Sequence, residues 1–394
     1  MSTSNESTTN NRRQKHNSNT SYNVLILGAS YGSLLSTKLL LAGHDVTLIC
    51  REGTANVFNE NRSIVRMPIK GRNDRIELKS SPRARSPDDI TFAKKSSNDG
   101  SKDSSNIYDL VVLAMQEPQY SAPDVRRLVQ RVAIAKIPVM ALTNMPLLPF
   151  LARIPGLERF MVGPSSSREQ NDDNVSTIRE KIRSCYTDPE LWDEFMKNSG
   201  DIGLFTSCSP DPQAYRPTGE SPNVLDVRLP TNFKAARFTS EQHTTMLREM
   251  ERDIQGIRYT DEGNKNTIEL PVKLRIHDSI FVPTAKWAML LAGNYRCIET
   301  NEMIISIREA VTRDVEVSRR VYNYVVKLCV NLGGKSEDFV PFDKYLKAAE
   351  SLKSPSSVAR EIASGATNIE RVDKIVALIG TIQQRERRRQ RQRR

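Results

Sequence analysis

From residue 23 onwards the chain alternates short apolar runs with amphipathic stretches. NVLILG at 23–28 is a continuous apolar run that ends in Gly, which is typical of a strand buried on both faces. SLLSTKLLLAG at 33–43 places Leu at helical spacing before a terminal Gly, and HDVTLIC at 44–50 is a second buried run. A strand, a glycine-containing turn, a helix and a second strand within about 30 residues predict a right-handed βαβ unit.

The same alternation continues to about residue 150. YDLVVLAM at 108–115 and IPVMALTN at 137–144 are predicted to be further buried strands, with a helix over 124–136 between them. Strands that alternate with helices predict an α/β, Rossmann-like doubly wound domain. Residues 80–106 are polar and low in complexity, and we expect a disordered polar insertion there.

The second half of the chain is first mixed and then mostly helical. The middle region combines proline-rich loops with a helix over 239–254 and strand-like runs at 224–229 and 268–276. We expect this region to complete the sheet. After Pro283 we expect a helix over 285–299, one long helix within 302–334 and three shorter helices up to about 384. The chain is therefore predicted to comprise a disordered head (1–21), an α/β domain (22–155), a mixed middle region (156–280), a mostly α-helical C-terminal domain (281–384) and an arginine-rich tail (385–394).

The net charge of +11 is concentrated at the end of the chain, where RERRRQRQRR carries seven Arg and one Glu. The body is thus close to neutral, whereas a nucleic-acid-binding domain is basic over its folded face, so we expect no specific nucleic-acid partner. The tail is expected to be a solvated terminus, with non-specific adhesion to polyanions as the alternative.

Several other classes are excluded by what the composition lacks. No apolar run approaches the roughly 20 residues that span a bilayer, and the first 21 residues have no apolar core of a secretory signal. The five Cys and four His are widely scattered, which argues against disulfides and a metal site. We therefore expect a cytoplasmic protein with no metal and no membrane contact.

The turn after the first strand is the first candidate binding site. A dinucleotide fold needs a tight turn there and a helix N-terminus whose free N–H groups face a pyrophosphate. Ser30 stands at the second glycine position of G-x-G-x-x-G, and Gly32 stands one place early for the third. The predicted contacts to the cofactor come from Gly28, Ala29, Ser30, Tyr31, Gly32 and Ser33.

Arg51 follows the second strand, at a place where NAD enzymes usually carry an acid that holds the ribose hydroxyls. An arginine at this position suits a ribose 2′-phosphate instead. The sequence therefore favours NADP over NAD, although Glu52 comes next and an ordinary solvated arginine is the alternative.

These features resemble the ketopantoate reductase (2-dehydropantoate 2-reductase) family. Residues 24–51 are similar to that family's opening, with GASYGSLL where the family typically has GAGAIGSLL. ALTNMP is similar to the strand after which a family Asn lies beside nicotinamide and substrate, so the resemblance assigns that role to Asn144. The family's cofactor-contacting Lys after YDLVVLAM is missing, since Met115-Gln116-Glu117 follows. The resemblance covers 24–150 well and 280–382 loosely.

The family's catalytic helix carries K-L-x-x-N-x-x-x-N, and Lys286 and Asn294 keep the spacing between the Lys and the last Asn. Leu290 replaces the middle Asn, and an alignment anchored on Trp287 would instead put Met289 in the lysine position. Residues 354–373 are similar to the family segment that carries serines and a catalytic Glu. By this resemblance Lys286, Asn294 and Glu370 are the predicted catalytic residues, and the substrate-binding residues are Asn294, Ser356, Ser357 and Asn368.

The resemblance implies an NADP-dependent reductase of a small-molecule 2-oxoacid in pantothenate biosynthesis, with a homodimer formed through the helical domain. In such a reaction the cofactor carries the hydride, and a Lys orients the carbonyl and protonates the developing alkoxide. Two alternatives stay open. The long, unmatched middle region suits an opine-dehydrogenase-like reductase of a larger imine, and the missing Lys and Leu290 suit a dinucleotide-binding protein without catalysis.

Overall fold

The computed structural model of the chain describes residues 20–92, 108–161, 173–260, 267–300 and 303–392. The predicted head up to residue 19, and residues 93–106 of the predicted insertion, lie outside these ranges. In the ranges that are described, no helix is long and apolar enough to cross a membrane.

The described strands and helices follow one another from Asn23 to Gln392. The strands are β1 (Asn23–Leu27), β2 (Asp45–Ile49), β3 (Ser63–Pro68), β4 (Arg75–Ser80), β5 (Arg83–Arg85), β6 (Leu110–Leu113), β7 (Val139–Leu142), β8 (Phe205–Ser209), β9 (Gln213–Tyr215), β10 (Val224–Leu229), β11 (Phe233–Ala236), β12 (Arg258–Thr260), β13 (Thr267–Glu269) and β14 (Leu274–His277). The helices are α1 (Gly32–Ala42), α2 (Glu52–Asn61), α3 (Pro123–Ile134), α4 (Leu148–Leu151), α5 (Glu158–Met161), α6 (Asp173–Arg183), α7 (Pro189–Ser199), α8 (Glu241–Gly256), α9 (Ala285–Met289), α10 (Ile307–Thr312), α11 (Val315–Asn331), α12 (Phe342–Ala349), α13 (Ser357–Ala363) and α14 (Val372–Gln392).

An eight-stranded sheet in the order β14-β11-β8-β7-β6-β1-β2-β5 forms the centre of the molecule. The six strands from β8 to β5 are parallel, while β11 runs antiparallel to β8 and parallel to β14. This order is that of a doubly wound sheet, in which the chain starts at the centre and winds outward in both directions. The predicted Rossmann-like domain followed by a helical C-terminal region is confirmed.

Two apolar cores cover the two faces of this sheet. Val24 and Ile26 of β1 belong to the core under α1 and α8, and Leu25 and Leu27 belong to the core under α3 and the C-terminal helices. Because both faces of the strand are buried, β1 is a continuous apolar run rather than an alternating one. A second sheet, in the order β4-β3-β10-β9, packs beside α1.

The prediction of a disordered insertion from residue 80 is wrong for residues 80–92. Residues 83–85 form β5, which pairs in parallel with β2 as the edge strand of the main sheet. Ala84 is 4% exposed, whereas Arg83 and Arg85 on either side of it are exposed. An edge strand with one buried face needs only this single apolar residue, so its composition is that of a polar loop.

Two further predicted elements are divided in the structure. The long helix within 302–334 is interrupted between α10 and α11, where the Asp314 carboxylate accepts the N–H of Val317 at 2.9 Å and caps the second helix. The run at 268–276 is two strands, β13 and β14, and between them Val272 has a φ of 62°. A β-branched residue in the left-handed region cannot continue a strand.

The arginine-rich tail continues the last helix. α14 extends through residue 392, and Glu386 forms an ion pair with Arg159 while most residues beyond 384 are exposed. Because exposed ion pairs contribute little, removal of residues 385–394 is expected to lower the free energy of unfolding by about 0–1 kcal/mol. Retention on a polyanion column should fall at the same time. Urea unfolding checks the first expectation, and a loss well above this range would show that the tail is part of the core.

Candidate active site

The carboxyl ends of β1 and β6 define a crevice at the centre of the main sheet. β1 pairs with β2 on one side and with β6 on the other, and the connections leave these strands in opposite directions. Ligands of open α/β sheets bind at such a switch point, outside the carboxyl ends of the strands. The loops after β1, β2, β6, β7 and β8 all reach this edge.

Glycine is required at two positions of the turn between β1 and α1. Gly28 has a φ of 112°, and a Cβ atom there would lie 2.6 Å from the carbonyl oxygen of Ala114. A Cβ atom at Gly32 would lie 2.8 Å from the Ile26 side chain. Gly28 therefore allows the turn to pass against the end of β6, and Gly32 allows α1 to pack closely on β1.

The rest of the turn leaves the N-terminus of α1 available to an anion. The Ser33 hydroxyl donates to the Ser30 carbonyl at 2.8 Å, Ala29 is buried and Ser30 is exposed. Within this described turn, no side chain caps α1 and no acidic residue occupies its first turn. Free N–H groups and the helix dipole favour negative charge at such a position.

Tyr31 ties this turn to the loop after β8. Its hydroxyl donates to the Pro212 carbonyl at 2.6 Å, and its ring meets Phe233 edge-on with centroids 5.9 Å apart. Burial raises the pKa of Tyr31 well above its usual value, so the phenol stays protonated. The Tyr31 hydroxyl therefore anchors the loop at 209–212 to the turn between β1 and α1.

Lys286 contacts the same loop. The Lys286 ammonium group, at the start of α9, donates to the Pro210 carbonyl. Burial lowers the pKa of Lys286, while the negative charges of Asp211 and Glu370 raise it. Lys286 thus lies at the carboxyl edge of the sheet, whereas Met289 of the rival alignment packs against the apolar core.

A π-helical turn at Leu290–Asn294 follows α9 and carries Asn294. In a regular α-helix eight residues rotate about 80° past two full turns. The wider π turn reduces this rotation and brings Lys286 and Asn294 closer to one face. The Met289 carbonyl, which the π turn frees from its usual helical hydrogen bond, accepts a hydrogen bond from the Tyr345 hydroxyl at 3.0 Å. Gly293 lies beside this hydroxyl, and a Cβ atom at Gly293 would collide with it.

Glu370 is a buried carboxylate near the carboxyl edge of the main sheet, and the residue is 3% exposed. Its carboxylate accepts the backbone N–H groups of Glu117 after β6 and of Met145 after β7. Burial, with the nearby charges of Glu361 and Glu117, nevertheless raises the pKa of Glu370 to about 7. A carboxyl group that titrates near neutral pH, close to a lysine whose pKa is lowered, is typical of acid–base sites.

The loops after β6 and β7 complete the edge. The Asn144 side-chain oxygen is buried and has no hydrogen-bond partner among the described residues, so it is available to a ligand. The chain has Gln116 in the region where the family resemblance predicts a Lys, and the Gln116 side chain donates a hydrogen bond to Glu361. Glu117 is buried and accepts the N–H and the hydroxyl of Thr187 at 3.0 Å.

The remaining predicted residues differ in position. Ser356 is the N-cap of α13, because its hydroxyl accepts the Ala359 N–H at 3.1 Å and donates to the Asn294 carbonyl at 2.8 Å. Ser357 is half-buried beside it, and Asn368 is exposed on the loop before Glu370. Arg51 is exposed at the N-cap position of α2, directly after β2.

Two side chains that sequence reasoning did not single out also shape the site. The Tyr295 hydroxyl donates to the Glu370 carbonyl at 2.6 Å and accepts the Val372 N–H at 3.0 Å, which fixes the backbone that carries Glu370. Asp211 pairs with Lys234 at 3.0 Å and acts on the charge of Lys286. Neither Tyr295 nor Asp211 lies in a recognisable sequence motif. Their roles follow only from their positions near Glu370 and Lys286 in the folded chain.

No protein-family model matches the chain, and no curated protein sequence matches it. Solved structures do match. One assigned as a ketopantoate reductase from Ralstonia solanacearum has 11% identity and a TM-score of 0.50, covering 93% of this chain and 98% of that chain. One assigned as a 2-dehydropantoate 2-reductase from Bacillus subtilis has 13% identity and a TM-score of 0.46, covering 92% and 99%. D-mandelate dehydrogenase with NADH and anilino(oxo)acetate has 11% identity and a TM-score of 0.46, covering 91% and 98%.

The first of these matches shows a shared fold over nearly the whole length of both chains. The resemblance to ketopantoate reductases is thereby confirmed at the level of the fold. At this identity the residues of the site must be judged on their own chemistry.

Proposed function

We propose that the protein is an NADP-dependent oxidoreductase that reduces a ketopantoate-like 2-oxoacid to a 2-hydroxy acid. One observation carries this proposal: the partly buried Lys286 and the buried Glu370, both with shifted pKa values, lie near enough at the carboxyl edge of the sheet for the charge of Glu370 to act on Lys286. A reduction of a carbonyl group needs one proton donor at the developing alkoxide and a means to restore that proton.

The residues present fit a nicotinamide dinucleotide. Gly28 and Gly32 allow the tight turn, the uncapped N-terminus of α1 faces the place of the pyrophosphate, and Arg51 follows β2 at the ribose position. The bound cofactor would supply the hydride, and the protein needs to orient the substrate and manage the proton.

Lys286 is the proposed proton donor. Its ammonium group releases the Pro210 carbonyl and donates a hydrogen bond to the substrate carbonyl oxygen, and it transfers the proton as the alkoxide forms. Glu370, protonated for part of the time near neutral pH, returns a proton to the amine and becomes a carboxylate. The N–H groups of Glu117 and Met145 stabilise that carboxylate.

Neutral side chains are the proposed substrate contacts. Asn144 has an unpartnered buried oxygen, and Asn294 lies on the same helical segment as Lys286. Amides orient a substrate without moving protons. We assign Ser357 to the substrate carboxylate together with Asn294, while Ser356 supports Asn294 through its backbone carbonyl.

Arg51→Ala is expected to weaken NADPH binding about tenfold and NADH binding little, because a charge-assisted contact to a 2′-phosphate is lost. Thermal shift measurements with each cofactor check this, since a ligand that binds the native state raises the melting temperature. Equal losses for the two cofactors would show that Arg51 does not meet the 2′-phosphate.

A dinucleotide-binding protein without catalysis is the second candidate. It is favoured by the bond between Lys286 and the Pro210 carbonyl, which occupies the ammonium group, and by Gln116 where the resemblance expects a Lys. NADPH binding is common to both candidates. Oxidation of NADPH in the presence of 2-oxoacids is expected only for the reductase.

A further inference from the structure

Arg216 lies next to Arg51 of the proposed cofactor site. It directly follows β9, and β9 begins at the residue after Pro212, whose carbonyl is held by the Tyr31 hydroxyl at 2.6 Å. The titratable groups that act on the pKa of its guanidinium are Cys50 and Arg51, directly after β2. The guanidinium of Arg216, at the end of β9, therefore lies near the loop that follows β2.

The buried Nε atom of Arg216 has no hydrogen-bond partner among the described residues, and no described carboxylate pairs with the side chain. Other arginines of the same sheet are satisfied. Arg66 pairs with Glu77 at 2.9 Å, Arg75 pairs with Asp226 at 3.3 Å, and the Arg228 guanidinium lies 4.1 Å from the Tyr215 ring centroid. Arg216 is thus an exception in a sheet whose arginines otherwise find partners.

The placement is electrostatically unfavourable in the ligand-free chain. Burial lowers the pKa of Arg216, and the like charge of Arg51 lowers it further. A half-buried guanidinium is normally hydrogen-bonded or paired. A dianion between Arg216 and Arg51 would offset the repulsion between the two positive charges and would accept a hydrogen bond from the unpartnered Nε–H group of Arg216.

We propose that Arg216 and Arg51 together bind a phosphate monoester dianion, the ribose 2′-phosphate of the cofactor. This inference rests on the proposed function and deepens it. The position after β2 is the ribose end of a dinucleotide site in this fold class, whereas the pyrophosphate belongs at the N-terminus of α1. Guanidinium groups present planar pairs of donors that match phosphate oxygens.

The test is calorimetric titration of the full chain with 2′,5′-ADP and with 5′-AMP, which lacks the 2′-phosphate. Arg216→Met is expected to weaken 2′,5′-ADP about 10- to 30-fold and 5′-AMP less than about threefold, and Arg216→Lys should fall between this variant and wild type. The matched control is Arg252→Met on α8, whose side chain is 65% exposed, and it should bind both nucleotides like wild type.

The outcomes separate this inference from the proposed function. If wild type binds both nucleotides and Arg216→Met weakens them equally, or weakens neither, the phosphate assignment is overturned while dinucleotide binding stands. If wild type binds neither nucleotide, both fail together. A changed melting temperature of the unliganded Arg216→Met variant would expose a folding defect. The affinity of Arg216→Lys for 2′,5′-ADP then tests the phosphate assignment, because lysine keeps the positive charge and loses the planar pair of guanidinium donors.

Discussion

Lys286→Met is expected to reduce turnover of a 2-oxoacid by about 10²–10⁴, the range for loss of one general acid. Methionine keeps the apolar stem that packs at the start of α9 but has no proton to donate. NADPH affinity should stay nearly unchanged, because Lys286 contacts the loop after β8 and not the glycine turn. Steady-state kinetics and cofactor titration of the same preparation measure the two effects.

Three other variants sharpen this result. Lys344→Met, at an exposed position of α12, is the matched control and should be silent. Asn294→Ala should mainly raise KM, since a neutral amide orients the substrate. The rival alignment makes Lys286→Met nearly silent and makes Met289→Lys a gain of activity; that pattern would remove Lys286 from the mechanism.

Glu370→Gln is expected to reduce turnover about 10- to 100-fold and to alter its pH dependence. Gln keeps an oxygen that accepts the N–H groups of Glu117 and Met145, but it cannot return a proton to Lys286. The limb of the pH–rate profile that reports a group with a pKa of about 7 should disappear from the variant. A profile that keeps this limb would assign it to another group. Glu350→Gln, exposed at the end of α12, is the control.

The same variant has a predicted effect on stability. The pKa of Glu370 is raised from 4.5 to about 7 in the folded chain, so the folded state holds this proton more tightly than the unfolded state. The corresponding stabilisation is complete below pH 4.5 and is lost as the pH rises through about 7, an amount on the order of 3 kcal/mol. Glu370→Gln should flatten that decline of the unfolding free energy. Urea titrations at several pH values between 4.5 and 8 measure it.

The sheet was predictable from sequence because its central strands are buried on both faces. β1 and β6 are continuous apolar runs, and the glycine turn between β1 and α1 reflects a backbone constraint that only Gly satisfies at Gly28. β5 was missed because an edge strand of three residues with one buried Ala has the composition of a loop. The break between α10 and α11 depends on a single Asp cap within an otherwise helical pattern.

The candidate site was only partly predictable. The spacing between Lys286 and Asn294 is visible in the sequence, but the π turn that brings them to one face depends on Tyr345 and Gly293, which come together only in the folded chain. Glu370 is buried beside backbone donors from two other loops, which come together only in the folded chain. The unmet donor of Arg216 is likewise a property of its surroundings, which no local motif encodes.

Loss of NADPH absorbance, followed with wild type and with Lys286→Met over a panel of 2-oxoacids and 2-oxoacid imines, tests directly whether the protein is a 2-oxoacid reductase with Lys286 as its proton donor. We expect wild type to consume NADPH with at least one 2-oxoacid and to form an equal amount of the 2-hydroxy acid, whereas Lys286→Met should bind NADPH but lose this activity. Wild type that binds NADPH and reduces no member of the panel would contradict it.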